Sequence, residues 1–191
     1  MRKILAVFAL LAISSIPTLA QDKPLFDVNG GYTFLDWQKP PIPILGESDY
    51  LHYNGFNVGG AVHFTSIVSL ALDLTGTYNS SGPFTRIYSY LVGPRLYPIG
   101  HHKLTPYIHG LAGAATFVFP ADFGPSETKF SFEVGGGVDW AVGKHLAIRL
   151  GQFDYQQTRF LHSEEIGLNA PPNNQDNFKY SAGVVLRFGE K

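Results

Sequence analysis

Phe178-Lys179-Tyr180-Ser181-Ala182-Gly183-Val184-Val185-Leu186-Arg187-Phe188 decides the fold. In an extended chain, successive side chains point to opposite faces. Phe178, Tyr180, Ala182, Val184, Leu186 and Phe188 then share one face, and Lys179, Ser181, Gly183 and Arg187 share the other. The first face is apolar and closed by aromatics at both ends. The second is polar or small. That combination suits a strand standing between lipid and a polar lumen.

The same alternation recurs upstream. Phe56, Val58, Gly60, Val62 and Phe64 oppose Asn57, Gly59, Ala61 and His63. Val68, Leu70, Leu72 and Leu74 oppose Ser69, Ala71, Asp73, Thr75 and Thr77. Phe130, Phe132, Val134, Val138 and Trp140 oppose Ser131, Glu133, Gly135, Gly137 and Asp139. Such period-two patterning marks strands with one face in each environment. Another stretch reads equally well either way, with Ile108, Gly110, Ala112 and Ala114 against Tyr107, His109, Leu111 and Gly113.

Turn chemistry separates eight predicted strands, at 25–36, 54–64, 67–78, 86–97, 104–118, 129–140, 145–155 and 176–188. The connections are expected to alternate: long or turn-rich at 37–53, 79–85, 119–128 and 156–175, and short in between. This is the plan of an antiparallel up-and-down transmembrane β-barrel with short turns on one side and loops on the other. Phe26, Phe34, Trp37, Tyr78, Tyr88, Phe117, Trp140, Tyr155 and Phe188 are expected in the two interfacial girdles.

The chain opens with an export signal. Arg2 and Lys3 precede the apolar run Ile4 to Ile13, and Thr18-Leu19-Ala20 precedes Gln21 with small residues at −3 and −1. Cleavage is expected after residue 20, leaving one domain over 21–191 and moving the net charge from −1 to −3. Charged residues make up 15% of the chain, against about 25% in soluble domains. No later stretch is continuously apolar for the ~18 residues a spanning helix needs. Cysteine is absent, which excludes disulfides and thiolate metal sites. A near-neutral charge argues against nucleic-acid binding.

Strand-borne charges belong in the lumen, because an Arg facing lipid near the midplane costs about 2–4 kcal/mol. Asp73, Arg95, Glu133, Asp139, Arg149 and Arg187 are the candidates for lumen ion pairs, with Asp154 as a possible addition. His63, His101, His102, His109, His145 and His162 show no ligand spacing backed by a carboxylate, so no metal and no cofactor are expected. Leu161-His162-Ser163-Glu164-Glu165 holds Ser, His and Glu, but adjacent residues on extended chain point apart, so no catalytic site is expected. The loops are better functional candidates: Lys39-Pro40-Pro41-Ile42-Pro43-Ile44, with exposed Tyr50 and Tyr53 beyond it, and Asn169 to Gln175.

Leu91-Val92-Gly93-Pro94-Arg95-Leu96-Tyr97, Leu104-Thr105-Pro106-Tyr107-Ile108-His109, Gly135-Gly136-Gly137-Val138-Asp139, Ile148-Arg149-Leu150 with Asp154-Tyr155, and the closing Tyr180 to Phe188 together resemble the outer-membrane β-barrel domain family. That family is similar to the eight-stranded transmembrane domain of outer membrane protein A and to opacity-type adhesins. The resemblance implies insertion by the barrel-assembly machinery, which would read the last strand, with Tyr180 and Phe188 as the signal residues. Gly189-Glu190-Lys191 follow the closing aromatic, and no cell-wall tether is expected. The expected protein is a monomeric, non-enzymatic barrel in outer-membrane lipid, with a structural or surface-interaction role and a surface protein or solute as possible ligand. A narrow channel and a lipid-modifying hydrolase are the alternatives. A soluble barrel with the pleat reversed is a further rival.

Overall fold

The computed structural model describes residues 24–38, 50–79, 85–118, 126–158 and 174–189. Within them the chain forms β1 (Phe26–Gln38), β2 (Tyr50–His63), β3 (Val68–Asn79), β4 (Arg86–Leu96), β5 (Leu104–Val118), β6 (Glu127–Ala141), β7 (Leu146–Thr158) and β8 (Gln175–Phe188). Each strand pairs antiparallel with its sequence neighbours, and β1 pairs with β8 to close the barrel. Closure leaves no strand edge, which is what a sheet surrounded by hydrocarbon requires.

The pleat points as the membrane reading demands. Leu72 is 46% exposed while its neighbour Asp73 is 1% exposed. Phe56, Val58, Leu70, Val92, Val134, Val184 and Leu186 all face outward. Among the described strand residues, the outward Asp and Arg side chains are Asp36, Arg86 and Asp176, each near the end that carries the longer connections. The reversed pleat of a soluble barrel is therefore overturned. The ambiguous β5 is also resolved: Tyr107, His109 and Leu111 point inward, Ile108 and Ala112 outward.

Several strands run past their predicted ends, which corrects two aromatic assignments, and the resolved face of β5 corrects a third. Trp37 and Phe117 are not girdle residues, and Tyr53 is not an exposed loop residue; all three are fully buried inside the barrel. The wall continues at that end, so its inward positions still need packing. Trp37 lies 5.0 Å from Phe117 and 6.0 Å from Tyr53, centroid to centroid. Tyr53 and Thr85 share a 2.6 Å hydrogen bond. The alternation of connection lengths also breaks once: 80–85 is no longer than 97–103.

Two local devices shape the lumen. A bulge between Arg149 and Gln152 inserts an extra residue into β7. It re-aims the strand so that both Arg149 and Gln152 face inward, although strict alternation would separate them. At the β1–β8 closure, Gly31 lies opposite Gly183. A Cβ on Gly31 would sit 2.1 Å from the Ala182 carbonyl oxygen, so the seam closes only without one.

Candidate functional site

The lumen gathers the chemistry-bearing residues in successive layers. At its centre Lys179 projects from β8 into three carboxylates on three other strands. Its Nζ lies 2.6 Å from Glu133 Oε2, 3.4 Å from Asp73 Oδ1 and 3.6 Å from Asp154 Oδ2. All four side chains are shielded from solvent. His109 Nε2 donates to Asp154 Oδ1 at 3.0 Å and lies 3.5 Å from Glu133 Oε1. Thr75 donates to Asp73 at 2.7 Å, and Gln152 donates to Asp154 Oδ2 at 2.7 Å. Gly135 leaves the room: a Cβ there would fall 2.1 Å from Asp154 Oδ1.

Gln152 joins this layer to the next. Its Oε1 accepts from Tyr107 at 2.6 Å and from Arg149 at 3.0 Å. Arg149 also binds Asp139 with two bonds, 2.9 Å from Nε and 3.3 Å from Nη2. This planar fork-to-carboxylate geometry is the strong form of such a pair. The Arg149 and Arg95 guanidinium carbons lie 4.9 Å and 4.6 Å from the Tyr107 ring centroid. Arg95 is fully buried, and none of its three guanidinium nitrogens has a hydrogen-bond partner among the described residues.

At the end bearing the termini, His63 Nε2 donates to Asp27 Oδ2 at 2.7 Å. Tyr97 and His101, in the β4–β5 turn, pack on His63. Arg187 faces the same mouth. At the opposite end, Leu35, Trp37, Tyr53, Ile87, Ala115 and Phe117 form an apolar layer across the lumen.

All seven charged candidates face inward, and five of them fall into two groups. Asp73, Glu133 and Asp154 meet at Lys179, and Asp139 meets Arg149. Among the described residues, Arg95 and Arg187 enter no ion pair. Lys179 is the central residue that sequence reasoning left out, although its inward phase in β8 was visible; its partners come from β3, β6 and β7, which no local spacing links. The expectation that no histidine has carboxylate support is corrected for His63 and His109, whose partners likewise sit on other strands. Tyr180 and Phe188 face lipid. The Tyr180 hydroxyl donates to the Leu150 carbonyl at 3.3 Å, and Phe188 stacks on Phe26 at 5.0 Å.

His109, Glu133 and Asp154 bring ligand atoms within 4.8 Å of one another, a spacing that suits a metal ion. The Lys179 ammonium already supplies positive charge to both carboxylates there. Among the described residues, neither His63 nor His109 hydrogen-bonds a hydroxyl. The predicted signal segment 1–20, the Lys39–Ile44 stretch, the Leu161–Glu165 stretch and Asn169 to Asn173 lie outside the described residues.

Known structures share this architecture. Neisserial surface protein A is similar with a TM-score of 0.65 at 14% identity, covering 85% of this chain and 97% of that one. Ail, the attachment invasion locus protein of Yersinia pestis, in complex with the heparin analogue sucrose octasulfate, is similar with a TM-score of 0.50 at 16% identity, covering 87% and 99%. At such identities the likeness is one of fold. No curated protein sequence matches the chain. The family model for the outer membrane protein beta-barrel domain matches residues 6–188, and with an eight-stranded closed sheet of outward apolar pleat this chain belongs to that family.

Proposed function

We propose that this chain is a non-enzymatic outer-membrane protein that acts through the loops at its long-connection end, with the barrel serving as a membrane anchor. The observation that carries the reading is the filled lumen. An apolar layer around Trp37 and Phe117 lies across one end, and a buried ion cluster around Lys179 lies beneath it. Eight strands leave an interior just wide enough for such side chains. With the interior committed to packing, a partner is met by the connections at this end, including 39–49 and 159–173. That end faces the cell exterior, and the termini face the periplasm. The protein acts as a monomer, inserted by the barrel-assembly machinery and surrounded by outer-membrane lipid. The ligand is a surface protein or solute. Ail bound to a heparin analogue is an instance of a barrel of this fold holding a ligand.

The test pairs two measurements. Refolded protein in planar bilayers is expected to show no sustained conductance steps. Cells carrying a form with 39–49 and 159–173 replaced by short turns are expected to keep the folded barrel but lose surface attachment. Stable conductance would support a channel. A change in lipid A mass on expression would support the hydrolase instead.

A further inference from the structure

We propose that His63 and His101 form a binding site for a borderline divalent transition ion, of which Zn2+ is the type, at the terminus-bearing mouth of the lumen, with Asp27 as the residue that positions His63.

The first support is the state of the ring nitrogens. His63 donates its Nε2 proton to Asp27 Oδ2 at 2.7 Å, which leaves the lone pair on Nδ1. That Nδ1 is buried and has no hydrogen-bond partner. A carboxylate on one imidazole nitrogen is the usual support for a histidine that ligates through the other. On His101 both ring nitrogens are buried and without a hydrogen-bond partner.

The second support is geometry. The His63 and His101 centroids are 4.8 Å apart, with the rings at 75°. Nitrogen–metal bonds of about 2.0–2.1 Å around a tetrahedral ion put two imidazole centroids roughly 5 Å apart. Tyr97 packs against both rings, at 5.3 Å and 4.6 Å, and holds them in place. Packing alone does not call for imidazole here. Phenyl rings would fill the same space without stranding three buried nitrogens, each carrying a desolvation cost.

The donor set selects the kind of ion. Asp27 is the acidic group facing His63, while Arg95 and Arg187 bring positive charge to the same end. Hard ions such as Mg2+ and Ca2+ need several oxygens and are disfavoured. Imidazole donors suit Zn2+, Cu2+ and Ni2+. Water completes the coordination, so the site binds more weakly than a closed structural site.

The test is Zn2+ titration of the refolded full chain in detergent, against a fluorescent chelator. The wild type is expected to take up one Zn2+ per chain, undisturbed by excess Mg2+. His63→Phe and His101→Ala are each expected to lower affinity at least tenfold, and Asp27→Asn by about tenfold. His102→Ala and His145→Ala are expected to leave it unchanged. His101 sits in a turn outside the strands, so its variant keeps the barrel, as heat-modifiable gel migration will show. No stoichiometric uptake by the wild type overturns the site. So does uptake that survives His101→Ala, or uptake lost equally in the His102 and His145 variants.

Discussion

Lys179→Met isolates the centre of the lumen. The substitution keeps most of the side-chain volume and deletes one charge. In the native barrel, Nζ lies between 2.6 and 3.6 Å from Asp73, Glu133 and Asp154. Each of those carboxylates is at most 3% exposed. Without the ammonium, three buried acids face one another with only the neutral donors Thr75 and Gln152 and the His109 ring left among the described residues. Breaking a buried pair by removing one partner costs about 3–5 kcal/mol, because the surviving charge is stranded. An exposed pair would cost about 0–1 kcal/mol. The assay is urea unfolding of the refolded barrel in detergent. At a slope of about 2 kcal/mol/M, the expected loss moves the midpoint down by about 1.5–2.5 M. Glu133→Gln in the same background removes one stranded charge. The double variant should then be more stable than the sum of the single effects by about 1–3 kcal/mol. A midpoint shift under about 0.5 M, or strict additivity, would refute the view that this cluster is a dry, coupled unit.

Leu72→Arg, on the lipid face near the midplane, should destabilise the folded barrel in bilayers by about 2–4 kcal/mol, read from urea unfolding in vesicles. Gly31→Ala should prevent closure, because its Cβ meets the Ala182 carbonyl at 2.1 Å. Gly30→Ala, whose Cβ has nothing closer than 3.7 Å, should fold normally by gel shift. Trp37→Ala should cost about 3–5 kcal/mol in urea unfolding by opening a cavity in the apolar layer. Phe188→Ala should slow assembly in cells, read as a longer-lived unfolded band after pulse labelling.

The strand pattern carried most of the fold because membrane barrels write both environments into a single period. Leu70-Ala71-Leu72-Asp73-Leu74 states which side is lipid and which is lumen without reference to any other strand. Two kinds of information were missing from that period. Strand ends were one: Trp37 and Tyr53 look like girdle or loop aromatics until the wall is seen to continue past them and turn them inward. Pairing across the lumen was the other. Lys179 and Glu133 lie far apart in sequence and meet only because the barrel closes. The β7 bulge defeats periodicity outright, since Gln152 has the phase of a lipid-facing residue until an extra residue is inserted before it.

The two lumen environments depend on each other. One wall carries Ala61, Ala71, Leu91 and Leu111 on β2 to β5, a packed apolar patch. The facing strands β6 to β8 carry Ser131, Glu133, Gln152, Asp154, Gln156 and Lys179. Above both lies the Trp37–Phe117 layer. These apolar surfaces lower the local dielectric, and a lower dielectric strengthens each ion pair several-fold over its value in water. It also makes any unmatched charge expensive, so the carboxylates at Lys179 are compensated together or not at all. Opening a continuous aqueous path would hydrate this cluster and weaken the pairs that hold β3, β6, β7 and β8 across the interior. A barrel stabilised in this way resists hydration of its interior, because the apolar layers and the ion cluster each raise the cost of disrupting the other.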